Sequence, residues 1–319
     1  MIPTLASTSL PDETQNTVKC GYVDSDQNHN STGMVVTSSF TLLISLFGIL
    51  GNGIVIWLLG FCIKGTRFTT YILNLSIADF GVVVSLLAIN IYWFLNRLTN
   101  SGYHDPLKTI FRTCFLFTYS ASQFFLTVIS IDRCVCVFFP LSYHYRQPKH
   151  LSVILCVTVW ALTFPFLPAH LILYLKDKNC EIWYYQFLLN LVFFIPGMTL
   201  STSAILTKVC LISPQYKRGK LLTAILLSIT FFLLFAFPMN IIQCLYLYGM
   251  QFATPYPFEV GYICVSLNST LNPFFYFLVG KEKGQQKRRM QKILEQIFKD
   301  EEDPRESEIP ASVPNAMLP

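Results

Sequence analysis

A single aspartate inside an otherwise uncharged stretch is the first residue in this chain that demands a chemical explanation. Asp79 is the only charged residue between Phe68 and Asn96. If that stretch lies in lipid, an ionised carboxylate costs at least ~2.5 kcal/mol unless it faces partners or water. Asn52, Ser122, Asn268, Ser269 and Asn272 are polar residues in other apolar stretches that can supply such partners. A carboxylate among hydroxyl and amide oxygens is a hard-cation site suited to sodium. The same residues equally suit a hydrogen-bonded network that only holds helices together, and the sequence leaves both readings open. A second feature is Asp132-Arg133, adjacent opposite charges closing the uncharged run Thr113–Ile131. Charges at a helix end can simply snorkel to the membrane boundary. Alternatively, the carboxylate holds the guanidinium until a conformational change releases it to a partner. Pro196, Pro238 and Pro273 each interrupt an apolar stretch, where a missing backbone donor makes a kink and a hinge. The run Asn272-Pro273-Phe274-Phe275-Tyr276 combines such a kink with polar side chains.

The elements that position these residues are membrane helices. The chain has 319 residues, 53% hydrophobic and only 13% charged, against about 25% charged for a soluble domain. Uncharged runs cover Met34–Ile63, Thr113–Ile131, Leu151–Leu175, Ile182–Thr207, Leu221–Phe258 and Val260–Gly280. Together with Phe68–Asn96 they supply seven stretches near or above the ~20 residues a spanning helix needs. The run from Leu221 is too long for one crossing, and Gly249, Pro255 and Pro257 predict its end near Tyr248. Seven spans place the termini on opposite sides. Residues 64–67, 132–150, 208–220 and those after 280 carry 17 of the 23 Lys and Arg, so the C-terminus is expected in the cytosol. The net charge of +5 then reflects orientation, and nucleic acid is not an expected partner. Residues 1–33 contain no apolar core of a cleavable signal, so the first span is expected to direct insertion. Asn30-Ser31-Thr32 is a glycosylation sequon in this outer segment.

The resulting organisation is an all-α membrane protein: an extracellular tail (1–33), a seven-transmembrane helix bundle (34–280), an amphipathic helix (281–299) and a disordered acidic tail (300–319). In the amphipathic segment Met290, Ile293, Leu294, Ile297 and Phe298 recur at helical spacing opposite Lys287, Arg288, Arg289 and Lys292, a pattern that lies on membrane lipids. The tail beyond residue 280 holds only Ser307 and Ser312 as hydroxyl phosphoacceptors and no threonine, so weak arrestin recruitment is expected. A secondary transporter is the alternative that also places an acid at mid-membrane, but the two halves show no matching broken segments. No His or Cys pair stands near Asp79 at metal-ligand spacing, so a membrane enzyme is not expected.

Asn52 after Gly51, Asp79 in Leu75-Ser76-Ile77-Ala78-Asp79, Asp132-Arg133-Cys134, Trp160, Pro196, Pro238 and Asn272-Pro273-x-x-Tyr276 follow one another helix by helix. This ordered set resembles the signature of rhodopsin-like G-protein-coupled receptors. Tyr71-Ile72-Leu73-Asn74-Leu75, Pro148-Lys149-His150 and Leu271-Asn272-Pro273-Phe274-Phe275-Tyr276-Phe277-Leu278-Val279-Gly280 are similar to the Mas and Mas-related receptors. So is Phe235-Ala236-Phe237-Pro238, where most rhodopsin-like receptors carry Cys-Trp-x-Pro and Mas-type receptors place a small residue.

The resemblance implies roles. Asp132 and Arg133 form an inner lock, and Asn272, Pro273, Tyr276, Ala236 and Pro238 belong to the activation switch. Asp79 with Ser122, Asn268 and Asn272 forms a pocket for an allosteric sodium ion, with Asp79 its anionic ligand; no other cofactor is implied. The partner is a heterotrimeric G protein, met by Arg133, Lys208, Lys217, Arg218 and Lys220 and driven to release GDP. The implied ligand is an extracellular peptide or small amino-acid-like molecule. Phe115 stands where amine receptors carry an aspartate, and His170 and Tyr184 stand where several Mas-related receptors carry acids for basic peptides. What remains around the outer ends is Lys108, Arg112, Phe115, Tyr119, His170, Tyr184, Tyr246 and Tyr262, with Glu259 as the exception. That set points to an anionic or zwitterionic ligand. The bridge common in rhodopsin-like receptors is not expected, because Lys108 occupies its position on the third helix. Tyr174 occupies the fourth-helix position of the bridge some Mas-related receptors use. Cys180 thereby loses its family partner, and a Cys20–Cys180 disulfide is expected, with two free thiols as the alternative.

Overall fold

The computed structural model of the protein describes residues 31–62, 66–99, 106–139, 150–177, 181–208, 230–231, 233–235, 237–248, 250 and 256–280. Among the described residues there is no strand. The first span is α1 (Ser31–Trp57), continued by a wider π turn over Leu58–Cys62. The second is α2 (Arg67–Thr99) and the third α3 (Pro106–Phe138). The fourth consists of α4 (Leu151–Thr163) and α5 (Phe166–Asp177). The fifth consists of α6 (Glu181–Leu189), a π turn Asn190–Phe194 and α7 (Ile195–Thr207). The sixth is described through α8 (Phe237–Leu247), and the seventh is α9 (Tyr256–Gly280). Five of these stretches, Thr32–Cys62, Arg67–Thr99, Pro106–Phe138, Leu151–Lys176 and Tyr185–Thr207, are long and apolar enough to cross a membrane.

The helices bury polar side chains among an apolar core and also expose large apolar side chains outward, where a soluble bundle would be polar. On α1, Phe40, Leu43, Phe47, Leu50 and Trp57 are exposed, whereas Ser38, Thr41, Ser45 and Asn52 are buried. An exposed apolar surface of that extent has no place in water, and lipid is its natural solvent. α3 is the central post: from Tyr119 to Thr127 every residue is buried. It packs along α2 and against the fourth and fifth spans, while α1 packs against α2 and α9.

The fourth span differs from the unbroken run Leu151–Leu175 read from the sequence. It breaks at Phe164–Pro165, where proline has no amide to donate and the Leu167 amide instead bonds Phe164 O at 3.1 Å. Pro196 follows the π turn and opens α7, Pro238 lies at the second residue of α8, and Pro273 lies inside α9. The sixth span ends at a turn at Tyr248, where the sequence placed it.

Close helix approach needs Gly48. A Cβ there would stand 2.5 Å from Thr270 Oγ1 on α9 and 2.9 Å from Val83 Cγ1 on α2. Both neighbours are backbone-near atoms of stiff β-branched side chains that cannot swing aside. Gly48→Val is therefore expected to separate α1 from the bundle at an overpacking cost of ~1–3 kcal/mol, read as a lower unfolding temperature of purified protein; an unchanged temperature contradicts this packing.

Candidate functional site

Asp79 lies at the centre of the bundle with no exposed surface. Ser122 on α3 donates its hydroxyl to Asp79 Oδ1 at 2.7 Å, and Asn272 Nδ2 on α9 donates to Oδ2 at 2.7 Å. Ser269 is a third hydrogen-bonding neighbour, one turn from Asn272. One carboxylate thus ties the second, third and seventh spans. Asn52 Nδ2 adds the first span by donating to Ser269 O and to Gly48 O, both at 3.0 Å. Pro273 follows Asn272, so the side chain that reaches Asp79 sits beside the residue at which α9 lacks a backbone donor. Asn268, the fourth residue expected here, is buried one turn earlier. Its Oδ1 and that of Asn272 are buried acceptors with no hydrogen-bond partner among the described residues. The donor set therefore has spare oxygens as well as an anion, which fits a small hard cation.

At the other end of α3 the Arg133 guanidinium bonds Asp132 Oδ2 at 3.1 Å, both side chains being buried. Its Cζ also lies 4.0 Å from the centroid of the Phe68 ring on α2. Arg133 is consequently held on two sides, by a carboxylate and by an aromatic face. Phe68 carried no sequence signal, since a phenylalanine at a span boundary is commonplace. Lys208 reaches across from the fifth span: its Nζ donates to Val137 O at 2.6 Å and lies 4.6 Å from the Phe138 centroid. It thereby satisfies a carbonyl at the C-terminus of α3, where helix carbonyls are otherwise orphaned.

At the opposite end of the bundle the expected ligand residues converge. Phe115 stacks on Tyr119, with centroids 5.5 Å apart and planes 9° from parallel. It also meets Tyr262 of α9 edge to face at 5.6 Å. Arg112 and Glu259 each precede one member of that edge-to-face pair by three residues, one helical turn. Arg112 acts electrostatically on Glu259, Tyr262, Tyr246 and His170. This end therefore carries Arg112 and Glu259, opposite charges, over an aromatic floor. His170 is buried and contacts Thr113, with Nδ1 2.5 Å from Thr113 Oγ1. Thr113 Oγ1 also lies 2.8 Å from Thr109 O, so its hydroxyl joins His170 to the backbone of α3. Lys108 lies half-buried one turn from Arg112, and Tyr246 packs edge to face on Phe258.

Between the two ends, Asn240 of α8 donates through Nδ2 to the Tyr119 hydroxyl at 3.0 Å. Gln186 Nε2 of α6 donates to Ser120 Oγ and, at 3.3 Å, to Leu116 O. Neither Asn240 nor Gln186 was singled out from the sequence, although each is an amide in an apolar run, the same signal that marked Asn272. Of the expected residues, Ala236, Lys217, Arg218, Lys220, Cys20, Cys180 and Asn30 lie outside the described residues, as do segments 281–299 and 300–319. The side chains of Tyr184 and Tyr276 are likewise outside the described set.

Most of the chain is similar in sequence to known receptors. Residues 51–276 match the 7 transmembrane receptor (rhodopsin family). Proto-oncogene Mas of Mus musculus is 32% identical over 275 residues, covering 83% of this chain and 84% of its own length. Proto-oncogene Mas of Homo sapiens is 30% identical over 272 residues, with 82% and 83% covered. Mas-related G-protein coupled receptor member A1 of Mus musculus is 30% identical over 276 residues, with 82% and 88% covered. The chain belongs to the rhodopsin family of seven-transmembrane receptors and, within it, sides with the Mas and Mas-related receptors.

Proposed function

We propose that this G-protein-coupled receptor of the plasma membrane binds a small zwitterionic or anionic extracellular ligand at the Arg112 end and drives GDP release from a heterotrimeric G protein at the Arg133 end. In this reading the N-terminus, with Asn30 as its glycan acceptor, lies outside. The observation that carries the reading is the buried Asp132–Arg133 pair beneath Phe68, a charge-paired arginine held ready at the boundary where a partner would dock. Truncating one partner of a buried pair leaves the other charge uncompensated at ~3–5 kcal/mol, so such a pair is switched rather than graded. Asp132→Asn is expected to free Arg133 and raise ligand-independent GTPγS exchange several-fold on the Gα subtype that couples. A wild-type receptor that accelerates exchange on no Gα subtype contradicts the reading.

For the ligand, Arg112 and Glu259, opposite charges within electrostatic reach of one another beside Phe115 and Tyr262, support a molecule with an anionic group and an adjacent cationic one. Arg112→Ala is expected to weaken agonist potency at least about tenfold, ~1.4 kcal/mol, at unchanged surface expression. Glu259→Gln separates the two ligand classes: a comparable loss supports a zwitterion, whereas unchanged or improved potency supports a purely anionic ligand.

Asp79, Ser122, Asn268 and Asn272 would hold a sodium ion. The ion would supply a positive charge to neutralise the buried carboxylate, while the Asn272 amide keeps α9 docked on α2. An ion that prefers the resting arrangement must weaken any ligand that prefers the active one. Agonist affinity is expected to fall when sodium replaces a bulky organic cation, and Asp79→Asn is expected to abolish that difference. Wild-type affinity indifferent to sodium assigns Asp79 a purely structural role.

A further inference from the structure

The Tyr119 side chain is buried between three spans, at 1% exposed, and its ring cannot move alone. Phe115 stacks on one side of it, Phe187 of α6 lies 6.2 Å away, and Asn240 of α8 donates to its hydroxyl. Phe115 in turn touches Tyr262, so a continuous column runs from the Arg112 end through Tyr262, Phe115 and Tyr119 to the sixth span. Asn240 is fully buried and stands two residues past Pro238, the position at which that span lacks a backbone hydrogen bond and can bend. Its neighbour Met239 lies against Gly261 of α9.

We propose that the Tyr119–Asn240 hydrogen bond is the latch that holds the sixth span to the third in the resting receptor and is released when ligand displaces Phe115. Burial makes the latch discrete, since a buried amide that loses its acceptor is costly and the bond is either made or replaced by a different packing. The Asp132–Arg133 pair is closed in the same structure, so the latch belongs to the locked arrangement. The inference rests on the receptor reading above, and its test needs no ligand.

The experiment is ligand-free GTPγS exchange by the full-length receptor, with surface expression and unfolding temperature measured alongside. Tyr119→Phe keeps the ring in its stack and removes only the hydroxyl; Asn240→Ala removes the donor from the other side. Each is expected to raise basal exchange about three- to tenfold, the effect of losing one buried hydrogen bond from one of two states. The double variant should rise no further than either single one, because both remove the same interaction. A merely structural role would lower the unfolding temperature and leave basal exchange unchanged. Unchanged exchange in either expressed variant overturns the latch, as does full additivity in the double. Asp132→Asn separates the two claims: if it raises exchange while Tyr119→Phe and Asn240→Ala do not, the latch alone fails. If neither the wild type nor any variant promotes exchange, the receptor reading fails and the latch with it.

Discussion

One buried carboxylate organises this bundle. In lipid no hydrophobic force drives helices together, and association depends on close packing and on polar groups with nowhere else to go. Asp79 is the strongest such group, and it draws a hydroxyl from α3 and an amide from α9 onto opposite oxygens at 2.7 Å. Asn52 joins α1 to the same junction through Ser269 O. The consequence reaches beyond stability. Because Asn272 precedes Pro273, the polar contact lies beside the residue at which α9 lacks a backbone donor, and a bend of α9 there would strain the bond to Asp79.

The two ends of α3 translate that constraint into function. Toward Arg133 the helix presents a charge held by Asp132 and covered by Phe68, with Lys208 bracing the adjacent carbonyl. Toward Arg112 it presents an aromatic floor and a cation within electrostatic reach of Glu259. α3 is buried along most of its length, so a displacement at one end is transmitted through packed side chains to the spans it touches. Interiors packed in this way are bistable rather than continuously deformable, which suits a receptor.

The sequence is most legible where a residue is out of place. A charge or amide inside an apolar run is costly enough that it must have a partner, and Asp79, Ser122 and Asn272 could be grouped on that ground before any geometry was known. The Asp132–Arg133 pair was equally visible as adjacent charges at a boundary, although its two readings could not be separated without seeing both side chains buried. Phe68 and Phe115 illustrate the opposite case. A phenylalanine in a membrane span is ordinary, and whether its ring covers a guanidinium, supports a tyrosine or faces lipid depends on tertiary neighbours that no periodicity encodes. The fourth span teaches a related lesson: its uncharged run reads as one helix, yet Pro165 divides it, whereas Pro273 remains inside an unbroken α9. Proline marks where a helix can yield; the packing around it decides whether it does.

The most direct test of the central claim is a reciprocal exchange across the junction, Asp79→Asn, Asn272→Asp and the two combined, read by unfolding temperature in detergent. If the carboxylate–amide bond organises the spans, each single variant lowers the temperature and the combined variant, which restores one acid facing one amide, recovers most of the loss. The corresponding coupling should exceed ~1 kcal/mol, as for residues in direct contact. A combined variant as unstable as the sum of the single ones would contradict the account.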